Sequence, residues 1–405
     1  MMTAPFDPAP GGLHMPRDYA WYARALEGRR LPLAFADVDL LDENAAALLR
    51  RAGGMPVRVA TKSVRCVALL RRVLDGHPGF QGLMCFSADE AVRLRERGFS
   101  DLLMGYPVVE AEALAELCRP PAPVTLMVDS AEHVALAARA ARRHGTRAPL
   151  CLDVDLSVDL PGLRFGVHRS PVRSPEDALA VAKSIVAEGD AVFLAGVMGY
   201  EAQLAGVPDA AAHAGAKNVV IRALKRASVG RVHARRQAVV AALKDAGFTP
   251  RFVNGGGTGS LESTREDASV TELTAGSGLY SPALFDGYRG FHHQPAVAFA
   301  IPVTRRPGPG LFTLQGGGYV ASGSAGVDKL PVPYLPEGAK LLPLEGAGEV
   351  QTPIAYTGPV PLPLGAPVFF RHAKAGEVCE HFRTLLLISG GRVVDEVPTY
   401  RGEWG

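Results

Sequence analysis

Val57-Arg58-Val59-Ala60-Thr61-Lys62-Ser63 reads as a short apolar strand, Val57 to Ala60, with a lysine at its tip and a helical segment directly after it. A lysine in that position is unusual inside an apolar scaffold, because burying an ammonium is costly unless it is paired or neutralised. One chemistry uses that cost. A desolvated lysine has a lowered pKa, and its neutral amine forms a Schiff base with a carbonyl. The plainer reading of Lys62 is a surface lysine at a strand end, so the rest of the chain has to decide.

Outward from this stretch, the same kind of run recurs between about residues 30 and 260. The runs are Leu31–Val38, Val57–Ala60, Gly82–Phe86, Leu102–Tyr106, Val124–Val128, Leu150–Val154, Ala191–Met198 and Phe252–Val253. Amphipathic segments rich in Ala, Leu, Arg and Glu separate them. Several runs are near-continuously apolar, the pattern of parallel strands covered on both faces. Ser87-Ala88-Asp89-Glu90 and Ser174-Pro175-Glu176-Asp177 read as helix starts, with a capping residue followed by early acids. Eight strands with crossover helices predict an α/β fold, a (β/α)8 TIM-type barrel over 27–270, with an open doubly wound sheet as the alternative. Ala210 to Gly247 has room for two helices. After about residue 270 Pro and Gly become dense and helical periodicity fades. The runs Ala296–Val303, Leu311–Leu314, Val368–Phe370 and Thr384–Ile388 predict an antiparallel β domain over 271–405, with residues 1–26 packed on it.

Composition narrows the function classes. Hydrophobic residues make up 47% of the 405 and charged residues 21%, enough for a large core and against global disorder. A net charge of +2, without basic runs interleaved with aromatics, gives no support to a nucleic-acid partner. Cys66, Cys85, Cys118, Cys151 and Cys379 are odd in number, dispersed and without a CxxC pair, as expected of reduced thiols in a cytoplasmic protein. The opening MMTAPFDPAPGGLHMPRDYAW has no apolar core of a signal peptide, and no apolar run reaches the length of a membrane span.

Parallel barrels carry their reactive groups at the C-terminal ends of strands. There the second run offers Lys62. The sixth offers Leu152-Asp153-Val154-Asp155, followed by Leu163-Arg164-Phe165-Gly166. Arg164 either faces a ligand's ring nitrogen as a permanent donor or pairs structurally with Asp153 or Asp155. The seventh ends in Gly196-Val197-Met198-Gly199-Tyr200, whose phenol either meets a ligand or is an ordinary interfacial tyrosine. The eighth ends in Asn254-Gly255-Gly256-Gly257-Thr258-Gly259-Ser260, a glycine cluster whose amides approach an anion closely while Thr258 and Ser260 add hydroxyl donors. It matches neither the GxxxxGK[ST] loop nor the dinucleotide fingerprint. A Schiff-base lysine and a phosphate nest on one barrel are what pyridoxal phosphate needs.

These ordered segments resemble the fold-type III pyridoxal-phosphate enzymes, the alanine racemase N-terminal barrel group, and within it the D-threonine aldolase and D-serine dehydratase branch. Ala34–Asn44 is similar to its D-x-D-x-L-x-x-N opening, and Arg58–Arg65 to R-P-H-x-K-T-H-K, which places the Schiff base on Lys62. Leu163–Gly166 resembles the segment whose arginine faces the pyridine nitrogen, and Gly196–Gly206 the G-x-x-x-Y segment. Asn254–Ser260 resembles the phosphate loop formed by Gly256, Gly257, Thr258, Gly259 and Ser260. Thr271–Ser277 is similar to the T-E-L-x-x-G-x that leads into the β domain. Val59, Ala60 and Val64 depart from the pattern.

The resemblance implies a lyase acting on small D-amino acids with a β-hydroxyl, by dehydration or retro-aldol cleavage, and a homodimer. It also implies a C-terminal metal pair of the form His-x-Cys or His-x-Asp, for zinc or manganese. Here Glu377 stands where the histidine would be and Cys379 at the second ligand, with His372 and His381 as further candidates. Cysteine at that place favours the dehydratase, while a buried inert thiol is the other reading. Two alternatives stay open. A racemase would need a second base, for which Tyr280, Tyr288 and Tyr319 are candidates. A non-catalytic carrier would not need the β domain.

Overall fold

The computed structural model describes residues 17–212 and 214–404. In chain order the first described strands are β1 (Leu33–Asp37), β2 (Val57–Ala60), β3 (Phe80–Cys85), β4 (Leu102–Met104), β5 (Leu126–Val128) and β6 (Ala148–Asp153). A hairpin of β7 (Val158–Leu160) and β8 (Leu163–Phe165) precedes β9 (Val192–Gly199), β10 (Phe252–Gly255) and β11 (Glu272–Ala275). There follow β12 (Val297–Gly308), β13 (Leu311–Gln315), β14 (Val332–Leu335), β15 (Lys340–Leu341), β16 (Gln351–Ala355), β17 (Pro367–Arg371), β18 (Thr384–Ser389) and β19 (Arg392–Pro398).

Eight strands form a parallel sheet in the order β4-β3-β2-β11-β10-β9-β6-β5. A parallel bridge between Leu103 and Thr125 joins the two ends and closes the barrel. Helices cover the outside. Ser87 and Ser174 cap two of them as expected, Ser174 in a reciprocal box with Asp177. Between β9 and β10 one 31-residue helix, Gly215–Asp245, stands where two had room. No helix of the described residues is long and apolar enough to cross a membrane.

Two strands differ from the sequence reading. Leu33–Asp37 leaves the barrel and lies in the second sheet, antiparallel to β12 and parallel to β18. Glu272–Ala275 takes its place as the strand beside β2, so the barrel continues past residue 270. The second sheet runs β15-β16-β13-β12-β1-β18-β19, with β17 joining β12 to β14. Trp21 and Tyr22 pack there against Phe35 and Phe369. Residues 1–16, expected to pack on this domain as well, lie outside the described residues.

The barrel interior is sealed by one charged pair. Arg58 Nε and Nη2 donate to the two carboxylate oxygens of Glu272 at 2.8 and 3.0 Å. Asn254 Nδ2 donates to Glu272 at 2.8 Å and to Thr274 Oγ1 at 2.8 Å. Both charges are almost wholly buried, and the forked geometry with full hydrogen bonding is what makes that tolerable. Above this layer the barrel opens toward the C-terminal ends of its strands.

Candidate active site

A cavity of about 560 Å³ occupies that end, lined by Lys62, Tyr106, Arg169, Tyr200, the Gly256–Thr258 loop and Ser277. Lys62 follows β2 in a single turn of 3-10 helix, Thr61–Ser63, fastened by Thr61 Oγ1 donating to Met84 O at 2.9 Å. Its ammonium is exposed to the open cavity rather than desolvated, and Nζ donates to Tyr106 Oη at 2.7 Å. Sequence reasoning did not single out Tyr106. Its signal was its place at the end of the fourth apolar run, equivalent to that of Lys62 at the second.

The glycine loop is held from below. Glu201, buried directly after Tyr200, accepts from Gly256 N at 3.2 Å and from Thr264 Oγ1. Arg236, fully buried on the long helix, donates to Glu201 at 3.0 Å and to Asp267 at 2.7 Å. One guanidinium therefore balances two buried carboxylates and fixes the loop to β9 and β10. Side chains approach Gly257 closely: a Cβ there would lie 2.8 Å from Ala205 Cβ and 3.2 Å from Tyr200 Cε2.

Of the expected site residues, Lys62, Tyr200, Gly256, Gly257 and Thr258 come together on this cavity. Gly259 and Ser260 lie just behind it. Ser260 Oγ accepts from Gly257 N at 3.2 Å and fastens the loop instead of facing the cavity. Arg164 is not brought in. It belongs to the β7–β8 hairpin opposite Asp159 and is bound to Asp155, the structural pairing left open by the sequence. A guanidinium that does reach the cavity wall is that of Arg169, five residues later, with Cζ 5.6 Å from the centre of the Tyr200 ring. Burial pushes the Tyr200 phenol up to about 12, so it stays a donor.

Beyond Tyr106 and Tyr200 a side cavity of about 240 Å³ is lined by Asp129, Asp153 and Arg169. Burial, reinforced by the neighbouring Asp129 carboxylate, pushes Asp153 up to about 7, with Arg169 acting against the shift.

The expected metal pair does not form. Glu377 faces the cavity, where each of its oxygens accepts one hydrogen bond from Ser322. Cys379 is fully buried with Sγ 3.4 Å from Val64 O, and burial holds its thiol well above the ordinary range. His381 stacks on Tyr319, and His372 is buried with both ring nitrogens unpartnered. Among the described residues, no group of three or more His, Cys, Asp and Glu is arranged to hold a metal. These residues do not fit one. The tyrosines named for a racemase divide similarly: Tyr280 Oη donates to Val64 O at 2.7 Å, and Tyr288, although on the cavity wall, donates to Ala205 O at 3.0 Å.

The model of the alanine racemase N-terminal domain matches residues 36–283. The chain belongs to that family. Within it, the chain is 26% identical over 257 residues to 3-hydroxy-D-aspartate aldolase of Paracoccus denitrificans (strain Pd 1222), covering 62% of this chain and 60% of that one. It is 28% identical over 271 residues to D-threonine aldolase of Arthrobacter sp, covering 64% of each. These matches thus span less than two thirds of either relative's length. The structure of D-threonine aldolase from Filomicrobium marinum superposes with a TM-score of 0.78 at 20% identity, covering 92% of this chain and 95% of that one. At that identity the likeness is one of fold, and it extends through the β domain that follows the family's barrel.

Proposed function

We propose that the chain is a pyridoxal-phosphate-dependent lyase of small D-amino acids carrying a β-hydroxyl. The observation that carries this reading is the position of Lys62 and the Gly256–Thr258 loop on one cavity, with Arg169 and Tyr200 on its wall. The donor set fits the cofactor: loop amides and Thr258 for its phosphate, Lys62 for its aldehyde, Arg169 for its ring nitrogen. The alternative of Arg164 at that nitrogen has no support in its pairing with Asp155. Once bound, pyridoxal phosphate supplies an aldehyde for amines and a ring that withdraws electrons.

The chain's own groups do the rest. Lys62 Nζ would hold the cofactor and is the amine placed to carry a proton at the substrate. Tyr106 Oη keeps that amine in place and is a proton partner for it. Glu201 and Arg236 keep the loop in shape without touching ligand. Both curated relatives named above are aldolases of β-hydroxy D-amino acids by name, which favours cleavage next to a hydroxylated carbon. A homodimer belongs to the same proposal, supported by exposed Val320, Val327, Leu344 and Val350 on the C-terminal domain.

The test is an absorbance spectrum of the purified protein with pyridoxal phosphate, before and after borohydride, with mass mapping of the reduced adduct. A visible band bleached by borohydride, an adduct on Lys62, and release of a keto acid or aldehyde from D-serine or D-threonine are expected. A Lys62→Ala variant that kept full activity would overturn the proposal.

A further inference from the structure

Two opposite charges on the wall of the cavity share one neighbour without pairing with each other. Lys374 Nζ donates to Ser322 O at 2.6 Å. Ser322 N donates at 3.0 Å to one oxygen of Glu377, and Ser322 Oγ donates to the other. All three residues line the cavity. Among the described residues neither Lys374 nor Glu377 takes part in an ion pair. Lysine and carboxylate side chains three residues apart ordinarily gain by meeting. Here Ser322 stands between them.

The segment that bears them is pressed against the lysine turn. Gly376 has φ +78°, and a Cβ on it would lie 1.9 Å from Lys62 O and 3.1 Å from Ser63 Cα. The segment that carries the two charges therefore packs on the backbone of the Lys62 turn, and both charges share one cavity with Lys62. Spare bonding capacity remains on each: an ammonium has three donors and a carboxylate about four lone-pair sites. The other cation that this part of the barrel turns toward the cavity is already committed, since Arg65 binds Glu380 and donates to Lys62 O at 3.0 Å.

We infer that Lys374 and Glu377, separated by Ser322, are the docking pair for the substrate, the ammonium taking its α-carboxylate and the carboxylate accepting from its β-hydroxyl. The inference rests on the reading of the site as one for β-hydroxy amino acids. The contact of their segment with the Lys62 turn, and the cavity they share with Lys62, bring both groups within reach of an amino acid attached there. A carboxylate with lone pairs to spare beside the hydroxyl also gives that oxygen's proton a place to go.

The experiment uses the holoenzyme, titrated with D-serine, D-threonine and their deoxy counterparts D-alanine and D-2-aminobutyrate while the visible spectrum is followed. Lys374→Ala should keep the cofactor band and the borohydride adduct on Lys62, yet weaken binding of all four amino acids by about 10-fold or more, the scale of a lost charged hydrogen bond. Lys374→Arg should recover most of that loss, and Lys374→Met is the substitute if the alanine variant does not fold. Glu377→Gln should bring the D-serine to D-alanine affinity ratio, expected to favour D-serine in the parent, down toward one, with D-alanine affinity changed less than about 2-fold. Unchanged binding in Lys374→Ala, or equal losses for D-serine and D-alanine in Glu377→Gln, would overturn the inference while leaving the cofactor assignment intact. A parent protein without the band or the Lys62 adduct would overturn both.

Discussion

Lys62 Nζ donates a 2.7 Å hydrogen bond to Tyr106 Oη across the mouth of the barrel. The two residues follow β2 and β4, which flank β3, so the bond ties alternate strands above the barrel floor. Tyr106→Phe keeps the ring and removes only the oxygen. Cofactor should still attach to Lys62, and turnover should fall by about 3- to 10-fold, the worth of one hydrogen bond. Steady-state kinetics alongside a cofactor titration will separate the two effects.

Among the described residues Arg236 is the sole cation paired with Glu201 and Asp267, all three essentially buried. Arg236→Leu strands two carboxylates in the interior and should cost about 3–5 kcal/mol in denaturant unfolding. Arg236→Lys should recover less than half of it, because one ammonium cannot fork between two acids as a guanidinium does. Equal stability of the leucine variant and the parent would show that the loop does not depend on this anchor.

Gly257→Ala places a methyl 2.8 Å from Ala205 Cβ, which cannot swing away. Overpacking of this kind costs about 1–3 kcal/mol. The loop should shift, and cofactor affinity measured by absorbance titration should drop by about 10-fold, with the lysine adduct still found on Lys62.

Asp153 gives the fold a pH dependence. Its folded pKa is raised from the ordinary 3.8 to about 7, so the native state holds the proton that the unfolded chain releases. That contribution to stability is fully present below about pH 4 and is lost as pH rises through about 7. Asp153→Asn should therefore match the parent at pH 4 and exceed it at pH 8. Melting temperatures across that range will check it, and a variant less stable at pH 8 would contradict the assignment.

Chelation is expected to do nothing. Glu377 is engaged by Ser322 while Cys379 faces Val64 O, so the two do not converge on a cation. Incubation with EDTA followed by gel filtration should leave activity and melting temperature unchanged; loss of activity restored by zinc or manganese would overturn this.

Much of the barrel was legible because parallel strands buried on both faces leave unbroken apolar runs. The same logic misled at β1. All five of its residues are buried, and a central strand of the second sheet looks the same in sequence as a barrel strand. β11 escaped notice for the opposite reason. Its Glu272 and Thr274 look unlike core residues, yet they point inward, where Arg58 and Asn254 satisfy them. Lys62 and the glycine loop were readable because each is a local signal at a strand end. Arg169 was hidden by the β7–β8 hairpin, which carries Arg164 away and returns the chain five residues later. Lys374 and Ser322 meet the site only through long-range packing, which spacing along the chain does not encode.

The placement of β1 sets a timetable for synthesis. It lies between β12 and β18, and its β18 partners Leu386, Leu387 and Ile388 come about 350 residues further along the chain. About 350 residues must therefore be synthesised after Leu33–Asp37 before that strand gains its second neighbour, and closing so long a loop slows folding. Until then one edge of Leu33–Asp37 is an open template for other chains. Truncation after the barrel should accordingly give a sticky, poorly soluble product in place of a free-standing cofactor-binding unit.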